Sequence, residues 1–389
     1  MHLAYTPEQE KLRAELRDYY AELIDADTRA ALDADLTGPV MRRLVRRMGA
    51  DGWLGLGWPA RYGGRGLGHV EQFIFFDESL RARAPVPMLT INTIGPTLMQ
   101  FGTDAQRERF LPAILAGTVH FCVGYSEPEA GTDLASLRTT AVRDGDSYVI
   151  SGSKLWTSYA QTADFCWLAV RTNPHVRKHR GISILIVPMD TPGITVSPLS
   201  LLGEHEIAAV HYDQVRVPAA NLVGGEDNGW TVITNQLNHE RVTLASPGMV
   251  DSALTDVRRW AASTLLPDGR RVIDQEWVRA NLAHAYAGFS VLRLLNWKVA
   301  ADGERGVLDV ADASGIKVFG TEHYLDALTL LMEIVGEPGY LRASSPGAVL
   351  AGRLESLYRG LVILTFGGGV NELQRDLIAQ FGLGLPVTR

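Results

Sequence analysis

The chain has 389 residues, 46% of them hydrophobic and 21% charged, which allows two or three domains or one large composite core and excludes a disordered polymer. Lys and Arg number 37 against 44 Asp and Glu, a net charge of −7, which argues against a nucleic-acid partner. Neither cysteine, Cys122 or Cys166, has CxxC or metal spacing, so reduced thiols in a cytoplasmic setting are expected, with no metal.

The N-terminal "MHLAYTPEQEK" turns charged at once, without a signal-peptide core. In "YTPEQEKLRAELRDYYAEL", Thr6 is placed to cap, Pro7 suits the first helical position and Gln9 completes a capping box. Leu12, Leu16, Tyr19 and Leu23 follow at helical spacing. Helical patterns continue to about Leu115, interrupted by the glycine-rich loop "GWPARYGGRGLG". Near His120 the character changes. "RTTAVRDGDSYVISGSKLW" reads as two strands joined at Asp144-Gly145, a hairpin signal. "DFCWLAVRT", "GISILIVPM" and "VHYDQVRVP" continue the β pattern, and apolar runs such as "ISILIV" are too short to span a bilayer. After "GGEDNGW" the helical period returns. One long helix is expected in "IDQEWVRANLAHAYAGFSVLRLLNWKVA", with Asp274 as its cap, and another before Gly336 and Pro338. The expected class is α+β, mostly α, with helical residues 1–119, a small β domain at 120–223 and helical residues 224–389.

Four segments hold chemistry-bearing side chains. "GYSEPEAGTDLASLRT" is by composition a turn rich in local hydrogen bonds, or else a loop presenting Ser126 and Thr132 to a polar ring edge. In "GSKLWTS", Trp156 packs a hairpin or flanks a flat cofactor with Ser158 beside it. In "TNQLNHERVTLA", Glu240 and Arg241 lie on a helix with Val232, Leu237 and Leu244 as apolar positions. They form a surface ion pair, or Glu240 turns into an apolar cleft where a raised pKa makes it a base. The triplet Gly367-Gly368-Gly369 lacks the residues of a phosphate-binding loop. His175 and His179 sit in a basic loop, and His205 and His211 lack further zinc partners.

Along nearly its whole length the chain resembles the acyl-CoA dehydrogenase family, through "GWPARYGGRG", "QRERFLPAILAG", "YSEPEAGTDLASLRT", "ISGSKLWTS", "DQVRVP", "NGW" and "GGGVNELQRDLIA", in family order. The resemblance implies an N-terminal helical domain, a middle β-barrel-like domain and a C-terminal four-helix bundle. It also implies FAD between the last two, completed by a neighbouring subunit. "YTPEQEKLRAELRDYY", "MGADGWLGLGWP", "LTINTIGPTLM", "NQLNHERV" and "ILTFGGGVNELQRDLIA" are similar to the base-bearing subunit of bacterial steroid side-chain dehydrogenases built as heterotetramers of two homologous subunits (α2β2). The implied reaction is α,β-dehydrogenation of an acyl-CoA thioester to the trans-2-enoyl-CoA, with electron-transferring flavoprotein as acceptor. A branched- or medium/long-chain fatty acyl-CoA substrate, or a non-catalytic stabilising subunit, are the alternatives.

Many relatives carry the base in a tail motif just before an "NELQ"-like segment. Here that position is Gly368, which cannot act as a base. A minority use a Glu on the bundle helix directly before an Arg, which is Glu240 before Arg241. The resemblance thus implies Glu240 as base, supported by Arg241 on its helix. Gly368 would then keep its backbone N–H for the thioester carbonyl and leave space for a bulky acyl group. Tyr125, Ser126, Thr132, Trp156 and Ser158 match positions around the flavin ring, and Asn371 and Glu372 match a segment reaching its adenosine half. Two departures stand out. The usual Arg-x-x-Phe-Gly is replaced by "DVRRWAASTLLPDGRRVIDQEW", and the usual Gln-Ile-Phe-Gly-Gly by "EIVGEPG", with Glu333 for Gln. The expectation is that another subunit supplies the pyrophosphate and adenosine contacts.

Overall fold

A computed structural model describes residues 4–203, 207–241, 245–305 and 309–386, with the backbone alone at 238–241 and 304. Helix α1 (Pro7–Leu23) opens as its sequence predicts: the Gln9 N–H donates to the Thr6 hydroxyl, and the Thr6 N–H to the Gln9 amide oxygen. Leu12, Leu16 and Tyr20 form its buried stripe. Tyr19, expected on that stripe, lies at its edge, where its hydroxyl donates to Asp51 at 2.8 Å. Helices α2 (Ala26–Ala34), α3 (Pro39–Ala50), α4 (His69–Arg81), α5 (Gly95–Phe101) and α6 (Asp104–Leu115) complete the first layer, with a π-helical turn at Thr90–Ile94 before α5. The loop between α3 and α4 needs its glycine at Gly64, where a Cβ would lie 2.1 Å from the Trp58 carbonyl oxygen.

Among the described residues eight strands follow: β1 (Phe121–Gly124), β2 (Thr140–Asp144), β3 (Ser147–Ser158), β4 (Phe165–Arg171), β5 (Ile182–Pro188), β6 (Ile194–Leu199), β7 (Ile207–Pro218) and β8 (Leu222–Val223). They form one sheet in the order β6-β7-β3-β2-β4-β5-β8, with β1 added in parallel against β4. The Asp144-Gly145 hairpin is present, with Asp144 opposite Ser147 and Gly145 at φ +61°. Strand β6 escaped the sequence pattern because it is the edge strand and contains Pro198, which an edge tolerates. The near-continuous apolar runs of β4 and β5 are explained by burial of both faces. Trp167, Ala169, Ile182, Ile184 and Ile186 pack with the first helices, while Leu168, Val170, Leu185 and Val187 pack with Tyr148 and Tyr212 inside the curved sheet.

The last part comprises α7 (Gly229–Arg241), α8 (Gly248–Ser263), α9 (Glu276–Glu304), α10 (Val310–Val335), α11 (Arg353–Leu361) and α12 (Asn371–Leu377). Val250, Val257, Leu282, Phe289, Tyr324 and Leu331 belong to its core. Asp309 caps α10 through the N–H groups of Ala311 and Asp312, and Gly336 ends it at φ +73°. Asp274 does not cap α9: its carboxylate closes the preceding turn onto the Arg271 N–H and guanidinium, and α9 starts after Gln275. Among the described residues no helix is long and apolar enough to cross a membrane, and no group of three or more His, Cys, Asp or Glu could hold a metal ion.

Candidate active site

The loop after β1 is held from beneath by a buried ion pair. Lys154 on β3 is fully buried, and its Nζ donates to Glu127 Oε1 at 2.8 Å and to the Tyr125 carbonyl at 3.0 Å. Glu127 also accepts from the N–H groups of Arg138 and Thr139, at 2.6 and 2.9 Å. Burial pushes the Glu127 carboxyl up, but the Lys154 charge and these hydrogen bonds outweigh it and hold the group below its ordinary range. Burial in turn lowers the Lys154 ammonium, against the pull of Glu127. The N–H of Leu155 donates to the Ser126 carbonyl at 2.9 Å. Tyr125 and Ser126 are thereby laced to the strand that carries Trp156 and Ser158.

That strand is irregular where it carries Trp156. The pairing of β3 with β7 shifts between Lys154 and Thr157, and Trp156 sits in the shift at φ +64°, a conformation uncommon for a bulky side chain. The bulge turns the indole outward, leaving Trp156 54% exposed, with Ser158 and Thr132 also exposed and Ser126 half-buried. Strain of this kind persists only where the surrounding structure over-determines it, and it clusters at active sites and ligand clamps.

Helix α7 abuts the loop from the other side. It starts on β5, where a Cβ at Gly229 would lie 2.7 Å from the Ile182 carbonyl oxygen. Gln236 is fully buried; the Tyr125 hydroxyl donates to its Oε1 and accepts from Trp167 Nε1 at 3.2 Å, while Gln236 Nε2 has no partner among the described residues. Positions four apart share a helix face, so Glu240 lies one turn beyond Gln236 on the face that meets Tyr125. The backbone of Glu240 and Arg241 belongs to α7, while their side chains, like all of Leu244, lie outside the described residues. The chain just beyond is pinned at four points. Asn296 Nδ2 donates to the Ala245 carbonyl at 2.8 Å and the Tyr324 hydroxyl to the Ser246 carbonyl at 2.6 Å. The Ser246 hydroxyl and Gly248 N–H both donate to Asp77 of α4, each at 2.7 Å.

The glycine triplet forms the turn into α12, with Gly368 at φ +67° and Gly369 at φ +98°, which favour glycine. Gly369 passes directly over buried Gln374, whose Nε2 a Cβ there would approach to 2.6 Å. A second fully buried lysine, Lys317 of α10, donates to the Thr365 carbonyl at 3.2 Å, the Gly369 carbonyl at 2.6 Å and Asn371 Oδ1 at 2.6 Å. Asn371 turns its other amide end to Thr321 and Glu322, both at 3.1 Å, so its side chain is engaged inside the bundle, while Glu372 is exposed. Helix α10 packs against both α7 and α12.

Tyr125, Ser126, Trp156 and Ser158 are thus brought together, with Thr132 on the same loop and α7 alongside. Asn371 and Gly368 belong to a separate turn joined to α7 through α10. Glu333 is exposed on α10, where it accepts from Asn281 at 3.2 Å. Sequence reading missed Lys154, Glu127, Gln236, Lys317 and Asp77. The usable signal was a charged or amide residue at a core-facing position, as with Lys317 between Ile316 and Val318.

Three family models match the chain: the acyl-CoA dehydrogenase N-terminal domain at residues 6–118, middle domain at 122–215 and C-terminal domain at 227–383. Acyl-CoA dehydrogenase FadE26 of Mycobacterium tuberculosis is 52% identical over 99% of both chains, and FadE29 of the same organism 48% over 99% of both. Among solved structures, the ChsE4-ChsE5 complex from Mycobacterium tuberculosis matches with a TM-score of 0.94 and 53% identity over 100% of both chains. The Tcur3481-Tcur3483 steroid acyl-CoA dehydrogenase matches with a TM-score of 0.94 and 47% identity, again over 100% of both. The three-domain fold, the full-length identity and the matched family models together show that this chain belongs to the acyl-CoA dehydrogenase family of flavoprotein oxidoreductases.

Proposed function

We propose that this chain is the base-bearing subunit of a heteromeric, FAD-dependent, cytoplasmic dehydrogenase. It would convert a steroid side-chain acyl-CoA to its trans-2-enoyl-CoA and pass electrons to an electron-transferring flavoprotein. Its domains are residues 1–119, 120–223 and 224–389. The carrying observation is the contact of Gln236 with Tyr125, which sets the α7 face one turn before Glu240 against the loop beside Trp156. Likeness over full length to the ChsE4-ChsE5 complex and to a steroid acyl-CoA dehydrogenase supports the substrate class and the second subunit.

The residues fit a flavin. Trp156 offers an exposed aromatic face fixed by the β3 bulge, with hydroxyls of Ser126, Ser158 and Thr132 nearby for ring heteroatoms. When bound, FAD supplies the acceptor for the hydride from the β-carbon. Glu240 takes the α-proton, and Arg241 supports the helix that carries it. Gly368 lends its N–H to the thioester carbonyl, where a placed donor contributes roughly 3–4 kcal/mol to the transition state. One proton goes to Glu240, and one hydrogen with two electrons leaves as hydride, so the α,β bond becomes double. Asn371 and Glu372 border the adenosine side, Asn371 by shaping the turn. The 268–274 turn, exposed at 268–271, engages its own arginines, Arg270 with Asp268 and Arg271 with Asp274. This supports pyrophosphate contacts coming from the partner subunit.

The test is co-expression with a neighbouring homologous subunit and replacement Glu240→Gln. Turnover should fall by about 10²–10⁴-fold with flavin still bound; unchanged turnover would refute the assignment. The chain expressed alone should carry little flavin, and a fully loaded homo-oligomer would refute the shared site.

A further inference from the structure

We propose that Lys317 is a positioning residue for the reaction: its buried ammonium fixes the Gly367–Gly369 turn and places a positive charge behind the thioester carbonyl. This rests on the reading that Gly368 donates to that carbonyl while Glu240 removes the α-proton.

The turn contains three residues without side chains, two of them at positive φ, and such backbone has the most conformations to lose. Lys317 removes that freedom from both ends. Its Nζ bonds the Thr365 carbonyl before the triplet and the Gly369 carbonyl at its end, and reaches Asn371 Oδ1 at the start of α12. Asn371 is itself held by Thr321 and Glu322, and Glu322 by Arg375 at 2.8 Å. The Gly367 N–H is engaged with the Ile363 carbonyl at 2.6 Å, whereas the Gly368 N–H makes no hydrogen bond among the described residues. Like the N–H groups of Gly369 and Val370, it is left over, among the described residues, by a turn whose Thr365 and Gly369 carbonyls are gripped.

The charge adds a second effect. An ammonium shielded from water acts at low effective dielectric, so its field at the neighbouring turn is weakly screened. A neutral thioester carbonyl gains little from that field, but the oxygen gains more as negative charge develops on it. The interaction is therefore stronger in the transition state than in the bound substrate, which raises kcat without a matching change in KM. An arginine would keep the charge, but its planar fork does not reproduce one nitrogen meeting three converging oxygens.

The experiment uses the co-expressed complex with Lys317→Met and Lys317→Arg, and Glu240→Gln alongside. A 3-thia-acyl-CoA, which ionises at the α-carbon without being oxidised, is titrated with pH and followed by its enolate–flavin absorption band. Amide hydrogen exchange is measured over residues 362–371. Lys317→Met should lower kcat about 10²-fold, comparable to loss of a placed donor, with KM little changed. It should also move the enolate midpoint upward in pH and speed exchange across the turn. Lys317→Arg should restore most of the midpoint while exchange stays fast. If Lys317→Met does not assemble, Lys317→Gln is held to the same criteria. An unchanged midpoint with Glu240→Gln still abolishing the band overturns the role of Lys317 and leaves the base standing. A band that survives Glu240→Gln overturns the base itself.

Discussion

Lys154 and Lys317 are both fully buried, yet they anchor their loops in different ways. Lys154 meets a carboxylate, Glu127, so each charge answers the other's loss of water. The hydrogen bonds described for Lys317 go to two carbonyls and an amide oxygen, all neutral. Removing one member of a buried pair strands the other, whereas removing a cation from neutral acceptors leaves only unsatisfied dipoles. The first arrangement therefore guards folding of the β domain. The second seats its positive charge against the carbonyls of the glycine turn, close enough to the Glu322 carboxylate to lower its pKa, which is useful where negative charge must develop.

The sharpest way to break this contrast is stability. Lys154→Met should destabilise the fold by about 3–5 kcal/mol in denaturant titration, and adding Glu127→Leu should recover much of it. Lys317→Met should cost less, about 1–3 kcal/mol; equal losses would erase the distinction. A third anchor lies where α8 crosses α4. Gly248→Ala, whose Cβ would lie 2.0 Å from the Asp77 carbonyl oxygen, should destabilise by about 1–3 kcal/mol through overpacking alone. Thermal unfolding of the variant checks this. The smallest effect is in pH. The Glu127 carboxyl is held below its ordinary value of 4.5 in the fold. Its stabilisation is present above that value and disappears as pH falls through the lower folded value. The melting temperature of the parent should thus fall more steeply in that acid window than that of Lys154→Met/Glu127→Leu. Parallel slopes would show that the pair does not carry the difference.

Much of the fold was legible because its signals are local. The Thr6 box, the Asp144-Gly145 hairpin and the Gly336 stop each depend on a few adjacent residues. Strand β6 was illegible because Pro198 cuts short the alternation of Ile194 and Val196 with Thr195 and Ser197, and Asp274 was misassigned because Arg271 competes for its carboxylate. At the site, motif order indicated the loop, the tryptophan and the glycines. It could not show that Trp156 sits in a left-handed bulge, that Asn371 faces inward, or that Lys317 lies beneath the glycines. Those facts depend on residues about 50 positions apart meeting, as Lys317 meets Gly369. Single-sequence periodicity carries no such information.

The mooring of residues 245–248 has a wider meaning for how such proteins can be recombined. The stretch leading into α8 is tied to Asp77 in the first helical layer, Asn296 on α9 and Tyr324 on α10. The address of the proposed base is thus written in three distant stretches of chain. A chimera that took residues 1–119 from a relative lacking a carboxylate at the place of Asp77 would inherit Glu240 intact, but with one mooring of the stretch that follows its helix cut.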